Sequence, residues 1–249
     1  YSDYAADPLQ HLGRCLAEGF SFQGHSSPYR DGATRGEPSR DLPPTAFVSF
    51  LQNHDQVGNR AFGDRLAEFA PREKLRALMA ILLLSPQPPL LFMGEEFAAT
   101  TPFLYFCDFE GDLAAAVTKG RRGEFARFAR FSDPAAREVI PDPNAEQTFR
   151  KSRLDWSSLP EPRHQEWLNF YRELLQLRQR LIVPHLAAAP GGQAKFEIHR
   201  GTVLEVNWRL ANSVSLRLLA NLASTPSMME TSPQGRRIYS NSADHAGQT

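Results

Sequence analysis

Little in this chain marks a secreted, membrane-spanning or nucleic-acid-binding protein. Its 249 residues contain two cysteines, Cys15 and Cys107. A secreted disulfide framework would show more of them, and nothing in their spacing suggests a metal site. Two reduced, mostly buried thiols fit a cytoplasmic setting. Lys plus Arg is 28 and Asp plus Glu is 28, so the formal net charge is zero. No basic excess therefore points to nucleic acid or to an anionic membrane surface. No apolar run approaches the ~20 residues of a membrane span; the longest, Leu78 to Leu84, is far shorter. Signal peptide, internal repeat, Gly-rich phosphate loop and metal cluster are all missing from the pattern, and no cofactor is expected.

What is present is enough apolar material, 41% of the residues, to bury a core. Asp7 and Pro8 suit an N-cap and first helical position, Leu9, Leu12 and Leu16 share a helical face, and Gly19 offers a stop. Residues 24–44 read as a long loop, a feature often functional in compact domains. Ala46 to Leu51 is nearly all apolar and suits a strand buried on both faces, as in a parallel sheet. Pro71 opens a helix with Leu75, Leu78, Met79, Leu82 and Leu83 on its apolar side. Ser85-Pro86-Gln87-Pro88 breaks it, and Pro89 to Met93 is a second short buried-type strand. This alternation argues for parallel β/α units, with polar residues gathered at the C-terminal ends of both strands.

Further on, residues 113–131 read as a helix interrupted near Gly120 and Gly123, and 133–162 as a proline-bearing connector. Arg163 to Leu181 forms a long helix with Trp167, Phe170, Tyr171, Leu174, Leu175 and Leu181 inward. After Pro190-Gly191-Gly192 the period changes to two, through Phe196, Ile198, Val203 to Trp208 and Val214 to Leu222. Arg237 to Ser240 suggests one more strand. The domain boundary falls near 186–194, dividing residues 1–188 from a small all-β domain at 189–249.

The segment richest in chemistry is Asn53-His54-Asp55-Gln56-Val57-Gly58-Asn59-Arg60. A carboxylate, an imidazole, amides and a guanidinium lie within eight residues at a strand's end. These groups hydrogen-bond sugar hydroxyls, and Gly58 would allow a tight turn. Glycoside hydrolysis builds positive charge on the sugar ring, and a fixed carboxylate opposes it. Asp55 can take that part, with His54 and Arg60 holding it and the sugar. Spacing alone leaves a plainer reading open, in which Asp55 caps the turn and His54 packs beside it. Glu95 and Glu96 point opposite ways in an extended chain, so at most one faces a site. Phe103, Tyr105 and Phe106 suit either sugar stacking or packing. Arg121, Arg122 and Lys119 read as a solvated helix face. The three tryptophans, Trp156, Trp167 and Trp208, read as core.

With these residues in view, 53–60 together with 47–51 before it resembles the fourth conserved region of the α-amylase superfamily, in which Asn-His-Asp follows the seventh strand of a (β/α)8 barrel. Phe50-Leu51-Gln52-Asn53-His54-Asp55-Gln56-Val57-Gly58-Asn59-Arg60 is most similar to the superfamily's trehalohydrolase branch. Phe92 to Glu96, Thr101 to Phe106 and Lys151 to Trp156 add to the likeness, which runs in order from residue 1 to about 222.

The resemblance implies an α/β fold: the C-terminal part of a (β/α)8 TIM barrel, with its last two strands and their helices, followed by a small antiparallel β-sandwich. It implies Asp55 as the transition-state stabiliser, His54 as a sugar contact, and Gln56, Gly58, Asn59 and Arg60 as one substrate-binding loop. The implied reaction is retaining hydrolysis of the α-1,4 bond that releases trehalose from maltooligosyltrehalose or a related α-glucan. The segments that carry the family's nucleophile and acid are not matched, so the chain alone is expected to be inactive. Two alternatives stay open: a glucan branching enzyme or other α-glucan transferase, and a non-catalytic, truncated carbohydrate-binding product.

Overall fold

The computed structural model describes residues 2–227 and 235–241. The chain forms two compact units. One comprises Tyr1–Ser49, Arg76–Leu90 and Arg172–Thr249; the other comprises Phe50–Leu75 and Leu91–Tyr171.

In the first unit, the Pro8–Glu18 helix lays Leu16 into a core with Ile81, Ala189, Leu204, Val206, Trp208 and Leu210, and Leu9 and Leu12 pack at its margin. Burying such side chains contributes roughly 1.5–3 kcal/mol each. The start of this helix differs from expectation. Asp7 has a left-handed backbone (φ 51°) and its side chain caps nothing; its carbonyl instead accepts from the amides of Gln10 and His11. Gly19 ends the helix as expected, at φ 94°, where a Cβ would lie 2.2 Å from the Phe47 ring. Within the long 24–44 loop, His25–Ser26 and Thr34–Arg35 pair as a short antiparallel hairpin.

The Ala194–His199, Val203–Arg209 and Ser215–Asn221 strands form an antiparallel meander with Val203–Arg209 at the centre. One face packs on the Pro8–Glu18 helix: Trp208 Nε1 donates to the Leu16 carbonyl at 2.9 Å, and Gly13 leaves room for the Phe196 ring. On the other face Glu205 is buried but fully engaged by His199, Asn207 and Arg217. The period-two reading is thus realised as one three-stranded sheet with a helix against it; among the described residues no second sheet completes a sandwich. Arg237 to Ser240 forms no strand.

Ser49 and Pro89 make a parallel bridge, with Ser49 N donating to the Pro88 carbonyl at 3.0 Å and Leu90 N to the Ser49 carbonyl at 2.8 Å. Of the two expected parallel strands only this isolated bridge is present: Ala46 ends a 3-10 turn, Pro44–Ala46, and neither 46–51 nor 89–93 forms a strand. Burial on both faces is not found either, because Phe47 is 6% exposed while Val48 next to it is 59% exposed. Side chains alternate across an extended chain, so a strand is doubly buried only where both sides are covered. Among the described residues no closed barrel forms. The Arg72–Leu84 helix buries Met79 through Leu83. Past its end, the buried guanidinium of Arg178 donates to the carbonyls of Leu83, Ser85, Pro86 and Gln87, groups that the Ser-Pro-Gln-Pro break leaves without helical partners.

In the second unit the Gly111–Glu124 helix runs unbroken through Gly120 and Gly123, contrary to expectation, and passes into single 3-10 turns at Phe125–Arg127 and Ala129–Phe131. An isolated helical glycine weakens a helix without ending it. Phe125, Phe131 and Ile140 form a core with Ala61 and Phe62. The connector holds short helices at Pro134–Glu138 and Glu146–Lys151. The Pro162–Leu181 helix buries Trp167, Phe170 and Tyr171 on this unit's side, and Leu174 beyond; Leu175 is exposed, since it lies one helical step off that face. Cys15 and Cys107 are free thiols, both half-buried. Among the described residues no helix is long and apolar enough to cross a membrane.

Candidate functional site

The His54–Gly58 helix opens directly after Asn53, and its start is closed by a capping box. Asn53 Oδ1 accepts from the Asp55 amide at 2.7 Å, and Gln56 Oε1 accepts from the Asn53 amide at 3.0 Å. The cap is therefore Asn53, and the plainer reading of Asp55 as the cap does not hold. Asn53 and Gln56 fasten the backbone, which leaves His54 and Asp55 projecting from the first turn. Their side chains are 70% and 62% exposed, with His54 Nε2 3.6 Å from Asp55 Oδ1. The neighbour of the carboxylate is an imidazole.

Arg60 takes another direction. Its Nε meets Asp64 Oδ2 at 3.2 Å, and its guanidinium lies over the Phe69 ring at 4.3 Å. So the structure brings His54 to Asp55, as expected, but turns Arg60 to Asp64 and Phe69. Asn59 is exposed. Gly58 does not make the tight turn foreseen for it. It is buried and helical, and a Cβ there would meet the Phe103 ring at an ordinary 3.6 Å. The glycine that the backbone requires is Gly63, at φ 63°, where a Cβ would come within 2.4 Å of the Phe103 carbonyl oxygen.

Beneath this segment the side chains are buried and polar. Gln52, one residue before the cap, is buried; its Oε1 accepts from the Leu66 amide at 3.1 Å and its side chain hydrogen-bonds Glu95. Glu95 also accepts from Tyr171 Oη at 3.2 Å and from the Phe92 amide at 3.3 Å. Burial pushes its carboxyl up to about 7, against the pull of those hydrogen bonds, and the neighbouring Glu96 adds repulsion. The two glutamates part, Glu95 inward and Glu96 half-buried, but they do so in a 3-10 turn, Glu95–Phe97, and not in the extended chain expected.

Arg65 is buried as well, its Nε donating to the Thr101 carbonyl at 2.6 Å and its Nη1 to the Met93 carbonyl at 2.7 Å. Of the aromatics, Phe103 packs edge-on to Phe92 and Phe106, whereas Tyr105 is 42% exposed. Trp156 is not core: it is 59% exposed and tilted against Phe97. Arg121 is not a solvated helix residue. It is 6% exposed, and its Nη2 donates to the Gly58 carbonyl at 2.7 Å and to the Arg60 carbonyl at 2.9 Å. The sequence did hold a signal for it: Phe125, four residues on, occupies the same helical face and is core.

No family model matches the chain. Among curated relatives, the malto-oligosyltrehalose trehalohydrolase of Deinococcus radiodurans is 45% identical over 153 residues, covering 61% of this chain and 24% of that protein. That of Brevibacterium helvolum is 37% identical over 226 residues, covering 90% of this chain and 36% of that protein. Among solved structures, a "Putative alpha Amylase" from Salmonella typhimurium superposes with a TM-score of 0.87 at 46% identity, over 96% of this chain and 39% of the other. The chain thus spans about a quarter to two fifths of the length of these proteins. By sequence and by partial α/β fold, it is a part-length relative of the malto-oligosyltrehalose trehalohydrolases, within the α-amylase superfamily.

Proposed function

We propose that this chain supplies the transition-state-stabilising carboxylate, Asp55, of a retaining α-glucan hydrolase that releases trehalose from maltooligosyltrehalose. The observation that carries the reading is the His54–Asp55 pair, presented to solvent on a turn whose backbone is already satisfied by Asn53 and Gln56. Neither side chain is consumed in holding the fold. As the glycosidic bond breaks, the ring and anomeric carbon gain positive charge, and a carboxylate bonded to neighbouring hydroxyls binds that state more tightly than the ground state. His54 donates to a sugar hydroxyl from beside it. Gln56, Gly58, Asn59 and Arg60 belong to the same substrate-binding loop, in which Arg60 is oriented by Asp64 and Phe69.

Retaining chemistry also needs a nucleophile and an acid about 5 Å apart. In this reading those two carboxylates come from outside the 249 residues, and the antiparallel meander between Ala194 and Asn221 is accessory to the chemistry. The test is Asp55→Asn in an enzyme that contains this chain, assayed for trehalose release. A fall in kcat of about 10²–10³ or more with the fold retained is expected, by analogy with loss of one transition-state-specific partner. Activity within tenfold of wild type removes Asp55 from the role. New branch points in place of free trehalose would give the site to a transferase instead.

A further inference from the structure

We propose that Arg121 is a positioning residue for the proposed glucan-binding turn: by donating to the carbonyls of Gly58 and Arg60, it holds the helical turn that presents His54 and Asp55. The inference rests on the reading of that pair given above. Arg121 lies 63 and 61 residues from its two acceptors, so the bonds tie the Gly111–Glu124 helix to the turn and do not cap the helix itself. The acceptors close the C-terminal end of the same turn. The Asn59 amide donates to the Asp55 carbonyl at 2.9 Å and the Arg60 amide to the Val57 carbonyl at 3.1 Å. A five-residue helix cannot hold its own geometry in water, because helix nucleation is unfavourable over so short a run. Its orientation has to come from outside contacts.

Arg121 is built to provide them. Its guanidinium lies 5.1 Å from the Tyr105 ring centroid and 4.7 Å from that of Phe125, so two aromatic rings restrict it. Its Nη1 meets Glu124 Oε2 at 3.4 Å. One turn farther along, Phe125 packs with Ala61 and Phe62, the residues that follow Arg60. The polar and apolar contacts therefore grip consecutive stretches of one segment. Adjacent Arg122 points elsewhere and pairs with Glu138. Both carbonyls are served by the two N–H groups of Nη2, held in the guanidinium plane while Nη1 meets Glu124; an ammonium on a flexible stem has no such fixed plane.

The test uses the 249-residue chain, with Arg121→Lys and, as a control, Arg122→Ala. Backbone amide exchange and maltotetraose binding would be followed by NMR, with thermal unfolding alongside. Expected for Arg121→Lys are a melting temperature within a few degrees of wild type, at least tenfold faster exchange at Asn59 and Arg60, and about tenfold weaker maltotetraose binding. Arg122→Ala should change neither. A folded Arg121→Lys chain with unchanged exchange, or with loosened exchange and unaltered binding, overturns the proposal. If wild type binds no maltotetraose while the exchange effect is seen, the glucan reading fails and the clamp stands. Should Arg121→Lys not fold, guanidinium NMR of wild type decides: protected, slowly rotating Nη protons on Arg121 support the clamp, and free rotation rules it out.

Discussion

Glu95 is a carboxyl that the fold prefers to keep protonated. In the unfolded chain it titrates near its ordinary 4.5, and in the folded chain burial raises it to about 7. The folded state therefore binds this proton more tightly. Its contribution to stability is fully present below about 4.5, falls as the pH rises from there to about 7, and changes no further above. Charged and polar groups facing it are Tyr171, Gln52 and Glu96, with Arg65 close enough to feel its charge. Replacing Glu95 with Gln keeps the shape without the charge. Urea denaturation of Glu95→Gln should show a flatter pH profile between 5 and 8 and a gain of about 2–4 kcal/mol at pH 8, each pKa unit being worth about 1.4 kcal/mol. An unchanged slope would mean that Glu95 is not the titrating group.

The glycines of the same unit make a second comparison at this scale. Gly63→Ala forces a Cβ against a backbone oxygen at positive φ and should cost about 1–3 kcal/mol. Gly58→Ala places its Cβ at an ordinary distance from Phe103 in helical backbone and should be neutral or slightly stabilising. Denaturation midpoints of the two variants, compared side by side, check the pair. The sequence offers Gly58 for a tight turn because glycine permits one; only the backbone angles give that part to Gly63.

Between elements, buried arginines bonded to carbonyls recur. Arg178 satisfies the break after the Arg72–Leu84 helix, Arg65 holds the Met93 and Thr101 carbonyls, and Arg121 holds the His-Asp turn. Each is costly to bury, and burial draws each guanidinium below its usual range. Arg178→Met should destabilise the chain by about 2–4 kcal/mol, because several buried carbonyls lose their donor at once. Arg178→Lys should recover only part of that. Equilibrium unfolding of the two variants measures the difference. The helices and the antiparallel meander that surround these residues were readable as periods of 3.6 and 2. The arginines were not, since a cation in a helix reads as surface until its acceptors are known, and here they lie many residues away in the chain.

At the scale of the whole chain, the proposed chemistry needs a nucleophile and an acid besides Asp55. Incubated alone with maltooligosyltrehalose, the 249-residue chain should release no trehalose above the uncatalysed background, since Asp55 as the stabiliser supplies neither the nucleophile nor the acid. Chromatography of the products checks this, and turnover at the level of the complete relatives would mean that a nucleophile and an acid exist within these residues.

Local chemistry determined a good deal by itself: the Asn-His-Asp run, the amphipathic runs that become helices, the alternation that becomes the meander, and the kinship with glucan hydrolases. These are properties of neighbours in sequence, fixed by side-chain type and backbone period. Tertiary structure decided which polar residues are used to hold the backbone and which are left exposed. Gln52 and Arg121 are buried, Asn53 and Gln56 are half-buried and bonded to the turn's backbone, while His54 and Asp55 stay exposed. The reason is that a buried donor or acceptor must find a partner; Asn53 and Gln56 find theirs within the turn, whereas those of Gln52 and Arg121 come from farther along the chain.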